Sequence, residues 1–173
     1  MPLKVIRALD NFIMRAEEFI LSWAVILISV MVVGNVLSRE ILGRSWVFSD
    51  EVSNFAVILA TFMGISYAAR KGRHISMSAF FDVVPFKIRK ALAIVIPGVT
   101  ALILFGLTYL GYEYLMSVYE RGRVTAALQV PVYLMIMFVP LGLFLGGVQF
   151  LRNMWINIKE KDVYLATEKK DYQ

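Results

Sequence analysis

Few residues in the chain are of a type that could do chemistry. The one histidine, His74, follows the basic run Arg70-Lys71-Gly72-Arg73. An imidazole needs partners at ligand spacing to hold a metal, or a nucleophile to activate, and no His, Asp or Glu cluster here has that spacing. One histidine cannot supply bis-histidine haem ligation, and with no cysteine the chain has no thiolate ligand, Fe–S cluster or disulfide. The remaining candidates are acidic or basic groups beside apolar runs: Ser49-Asp50-Glu51, Glu113, and Glu120 with Arg121 and Arg123. Ser49 and the two acids read first as a helix N-cap with charges favourable to the dipole, and second as a docking site. Nothing pairs a nucleophile with a base or forms a phosphate-binding glycine loop, so no enzyme is expected.

The elements that carry these residues are set by composition. Of 173 residues 59% are hydrophobic and only 18% charged, against about a quarter charged in soluble domains. The net charge of +5 lies in short segments between apolar runs, not on one face of a folded unit, so nucleic acid is not an expected partner. A helix needs about 20 apolar residues to cross the hydrocarbon. Four runs qualify, at about 19–37, 52–69, 91–112 and 130–151, and backbone satisfaction in lipid makes them helices. The expected fold is an all-α integral membrane protein with four transmembrane helices and short amphipathic interfacial helices. Residues 1–18 form an amphipathic N-terminal helix in the interface, 19–155 the transmembrane domain, and 156–173 a charged cytoplasmic tail.

Lys and Arg set the orientation. Fourteen lie on the side of both termini and the 70–90 loop, and four on the other side. The positive-inside rule therefore predicts cytoplasmic termini. Arg70, Lys71, Arg73 and His74 are expected to anchor the cytoplasmic interface, and Trp46 and Tyr133 the outer one. Residues 75–84 turn apolar before Pro85 and suggest a strut lying in the membrane plane.

The four runs lack an intramembrane charge of the kind that ion-coupled pumps use, which argues against a complete transporter. They carry packing signals instead. Ala56, Ala60, Gly64 and Ala68 recur every four residues, and Gly142 and Gly146 form a GxxxG pair, suited to close helix approach within the chain or to a membrane partner.

Two stretches carry a family resemblance. "RSWVFSDEVSNFAVILATFMGISYAARKGRHISMS" and "LQVPVYLMIMFVPLG", in this order and spacing, resemble the small membrane subunit of tripartite ATP-independent periplasmic (TRAP) transporters, the DctQ-like family. The matching residues are Trp46, Asp50, Glu51, Gly64 and 70–75, then Pro131, Tyr133, Pro140 and Gly142. One departure is Ser78, where the family often has an acid. The resemblance implies a multi-pass protein of a bacterial inner membrane, acting as static scaffold beside a large multi-span elevator subunit. That subunit, not this chain, would bind sodium. A periplasmic substrate-binding protein would deliver an organic acid, such as a C4-dicarboxylate, keto acid or sialic acid. Arg44, Asp50, Glu51, Glu120, Arg121 and Arg123 become the expected docking residues for that protein. No cofactor is expected beyond membrane lipid, with a structural phospholipid allowed. The rival readings are a membrane anchor of a redox or signalling complex, taking haem ligands from a partner chain, and a small exporter coupled through Glu113.

Overall fold

The computed structural model describes residues 2–71, 85–160, 164–166 and 169–170, with side-chain detail for 13–70 and 85–160. Its helices are α1 (Pro2–Leu42), α2 (Ser49–Lys71), α3 (Phe86–Glu120), α4 (Tyr133–Ile136) and α5 (Phe138–Lys159). In the tail, a short antiparallel pair joins β1 (Tyr164–Ala166) to β2 (Lys169–Lys170). Four helical segments among the described residues are long and apolar enough to cross a membrane: Ile13–Leu42, Ser49–Arg70, Phe86–Glu120 and Tyr133–Lys159. The chain is thus an all-α membrane protein with four candidate spans.

Several boundaries differ from the sequence expectation. Residues 2–18 do not form a separate helix but run into the first span as one 41-residue helix, since no Pro or Gly interrupts the chain between Pro2 and Gly34. At 1.5 Å per residue α1 rises about 60 Å, roughly twice the hydrocarbon thickness. The fourth span starts later than residue 130. Val124 and Pro131 form a β-bridge, and the helical ladder breaks at Met137 between α4 and α5. Pro140 explains the break: it has no N–H for the Ile136 carbonyl, and its ring crowds that carbonyl. Two glycines at positive φ end the long helices, Gly43 (φ 67°) after α1 and Gly122 (φ 56°) after α3. The left-handed conformation costs any other residue more, which is why glycine marks these stops.

The chain divides into two compact units, each described by itself. The first comprises residues 1–64 and 111–139. Its α1–α2 corner is closed by polar bonds of consecutive turn residues. Ser38 Oγ donates to Arg44 O (2.8 Å), the Trp46 amide to Asn35 Oδ1 (2.7 Å), and Ser49 Oγ to Met31 O (3.0 Å). The Trp46 indole folds back over Gly34, where a Cβ would lie 2.6 Å from Cζ3, and stacks on Phe48 at 9° and 5.9 Å. Gly64 approaches Leu21 of α1, and Phe55 packs on Phe138 at 5.7 Å.

The second unit comprises 65–110 and 140–173. Here α5 presents glycines to both neighbours. A Cβ at Gly146 would lie 2.6 Å from Ile65 Cγ2, and one at Gly147 3.1 Å from the Phe105 ring. Phe105 meets Phe144 edge-on at 5.9 Å, and Met154 Sδ closes on Gly98, beside Pro97. Lys90 Nζ donates to Glu160 O, fastening the start of α3 to the end of α5.

Gly146→Ala should therefore cost about 1–3 kcal/mol by overpacking, because the methyl it meets belongs to a stiff β-branched side chain. I65A in the same chain should recover part of the loss. Unfolding of the purified protein in detergent measures both, and strict additivity would rule out the contact.

Candidate functional site

The residues expected to dock a partner all belong to the first unit, on the α1–α2 loop, the first turn of α2, and the end of α3 with the loop that follows it. Arg44, Asp50, Glu120, Arg121 and Arg123 are exposed. Glu51 is half-buried and differs in role. Its carboxylate accepts the Ala127 amide (2.6 Å) and the Leu128 amide (2.9 Å), stapling the 121–132 loop to the first turn of α2. The same loop is braced by Thr125 N–H to Val130 O (2.9 Å) and Val132 N–H to Arg123 O (2.9 Å). Thr125 Oγ1 accepts the Val130 amide at 3.1 Å, and Gln129 turns the tip at φ 55°, unusual for a side chain with a Cβ. The loop that carries Arg121 and Arg123 is thus a shaped hairpin. Glu51 shapes it, rather than offering its carboxylate to solvent.

Ser49 does not cap α2 as expected, since its hydroxyl donates to the α1 carbonyl of Met31. Asp50 and Glu51 do stand in the first turn of α2, where negative charge suits the dipole. Of the outer anchors, Trp46 packs on Gly34 and Phe48, and Tyr133 sits edge-on to Tyr119 at 5.2 Å.

The other expected residues separate. Arg73 and His74 lie outside the described residues, and Lys71 is placed only by its backbone in α2. Arg70 is 1% exposed, so it is not a surface anchor: the end of α2 is packed within the second unit, with Ala69 buried beside it. Gly64 takes its contact from Leu21 and Gly146 from Ile65, so both pack within the chain. Ala56 is fully buried, Ala60 and Ala68 partly so, and Gly142 is buried.

A buried polar seam was missed from the sequence. Gln149, Asn153 and Asn157 lie one turn apart on the covered face of α5, and Asn157 Nδ2 donates to Asn153 O (3.0 Å). Ser66 is buried in the same unit, and Ser66 Oγ and Gln149 Oε1 have no hydrogen-bond partner among the described residues. The i, i+4, i+8 spacing of amides in an apolar helix was the available signal. Such groups fix helix register, because they are costly to expose to lipid. In the first unit, Glu17 is likewise buried, at 2% exposed. No group of three His, Cys, Asp or Glu among the described residues could hold a metal ion.

The Glu51 staple is testable by hydrogen exchange. E51Q removes the charge and one acceptor, so exchange at the Ala127 and Leu128 amides should accelerate at least about tenfold. D50N, beside it but exposed, should leave those amides protected.

Residues 28–160 match the family described as "Tripartite ATP-independent periplasmic transporters, DctQ component". The chain is also 40% identical over 167 residues, 96% of its own length and 86% of the relative's, to the ectoine TRAP transporter small permease protein TeaB of Halomonas elongata. Both are transporter permease components, not enzymes, and the redox-anchor reading loses its basis. The chain belongs to the DctQ family, the small permease subunits of TRAP transporters.

Proposed function

We propose that this subunit is the static scaffold of a binding-protein-dependent importer in a bacterial inner membrane, with both termini in the cytoplasm. It holds a large, ion-coupled multi-span subunit at fixed depth, and that subunit carries substrate and sodium. The observation that carries this reading is the family match across residues 28–160, joined to 40% identity over 96% of the chain. Two features support it. The described spans hold no cluster of acidic or histidine ligands, and Gly34, Gly64, Gly98, Gly146 and Gly147 are engaged in packing within the chain. A scaffold needs packing faces and interface anchors, not an ion site of its own.

The rim of Arg44, Asp50, Glu120, Arg121 and Arg123, on loops held by Glu51, is the docking surface for a periplasmic substrate-binding protein. Mixed charge on a shaped, exposed hairpin suits steering of a soluble partner. The cargo is a small organic solute of the organic-acid class, and ectoine, for which the Halomonas elongata relative is named, is the first candidate. A structural phospholipid is the one small molecule this chain itself would hold.

Reconstitution tests the scaffold. Vesicles holding this chain alone should take up no labelled ectoine or C4-dicarboxylate. Sodium-driven uptake should require the large subunit and the binding protein, and uptake by this chain alone would refute the reading. The double reversal R121E/R123E should raise the binding-protein concentration needed for half-maximal uptake about tenfold, at unchanged maximal rate. An unaltered concentration dependence would remove the docking role.

A further inference from the structure

Several side-chain hydroxyls on the spans are satisfied by their own helix. Ser22 and Ser29 on α1, and Thr100 and Thr108 on α3, each donate to the carbonyl four residues back. Asn54 and Thr61 on α2 are different. Both are exposed, and neither is hydrogen-bonded to another described residue. They stand seven residues apart, so at 100° per residue they project from nearly the same face, with Val57 (46% exposed) between them. Asn54 lies about 8 Å along the helix from Ser49, and Thr61 is near the middle of the Ser49–Arg70 span.

The opposite face of α2 is already occupied. Ala56 and Met63 are buried there, at 0% and 4% exposed. Gly64, three residues on from Thr61, meets Leu21, so the near face is covered at Gly64 and left exposed at Asn54, Val57 and Thr61. Ala56 and Gly64 therefore serve the chain's own packing, and a partner must use the exposed positions Asn54, Val57 and Thr61. Among the four spans α2 is also the least apolar, and of its four exposed residues, Asp50, Asn54, Val57 and Thr61, three are polar. A helix left to lipid should be the reverse, as α1 is: strongly apolar and almost wholly uncovered. Lipid tails offer an amide or hydroxyl no hydrogen bond, whereas a neighbouring helix does.

We propose that the face of α2 formed by Asn54, Val57 and Thr61 is the seat of a transmembrane helix of the large subunit, which supplies hydrogen-bonding groups to the Asn54 amide and the Thr61 hydroxyl. The occupant's identity rests on the scaffold reading above. Its chemistry rests on two polar side chains that neither the described residues nor lipid tails satisfy.

The test uses the complete complex in membranes. A photoreactive residue replacing Asn54, Val57 or Thr61 should form an adduct that mass spectrometry identifies as the large subunit. Adducts only with lipid, or with a second copy of this chain, while the large subunit still copurifies, overturn the proposal. The double substitution N54L/T61L keeps an apolar helix and should weaken association with the large subunit about three- to tenfold. T100L, whose hydroxyl is already held by its own helix, should leave association unchanged. Equal retention in the two variants also overturns the proposal. If the unaltered chain retains no large subunit at all, the scaffold reading fails first and takes this occupant with it.

Discussion

In hydrocarbon, helices gain little by burying apolar surface against one another, because the lipid is as apolar as they are. What holds them is close van der Waals approach, and close approach requires that side chains be absent from part of each helix. The second unit is organised by that constraint. Gly146 admits Ile65, Gly147 admits the Phe105 ring, and Gly98 admits Met154. Once these positions are set, α5 has neighbours on both sides, and its amide residues at 149, 153 and 157 fall on the covered face. The polar seam follows from the packing. An amide that faced lipid from the middle of α5 would lack hydrogen-bonding solvent, so the orientation that seats the glycines also shelters the amides.

The first unit solves a different problem, the return of the chain at the membrane edge. Its corner between α1 and α2 is short, and its backbone groups find partners in side chains of the preceding helix. Asn35 receives the Trp46 amide, and the hydroxyls of Ser38 and Ser49 reach carbonyls across the corner. Trp46 then covers Gly34, where any side chain would collide with the ring. The longer 121–132 loop uses a carboxylate instead. Glu51 accepts two consecutive amides, which a neutral side chain could not do as strongly. Two segments distant in sequence, the first turn of α2 and the 121–132 loop, are joined at one edge by this carboxylate.

This division of labour suits the scaffold role proposed above. Closely packed glycines and a buried amide seam restrict sliding between helices, as that role would require. Residues that leave a face unsatisfied are then informative. On α2 Ala56 and Met63 are covered while Asn54 and Thr61 stay exposed, so the helix that looked like the best packing surface has two sides with different surroundings.

Much of this was readable in the sequence. Charge-free runs near 20 residues gave the number of spans and their helical state, since hydrocarbon thickness and backbone satisfaction leave no other solution. The order of the motifs around Trp46, Asp50, Glu51, Pro131 and Pro140 pointed to the family, and small-residue spacing marked α2 and α5 as packing helices. Tertiary structure decided which partner each residue meets. Glu51 looked like a free surface charge because the amides that engage it lie 76 and 77 residues away in the chain. Arg70 looked like an interface anchor because its charge is legible and its burial is not. Hydropathy averages over all faces of a helix, so the sequence by itself determined that the chain crosses the membrane. Which side of each helix is covered depends on rotation and register, which only contacts between distant segments fix.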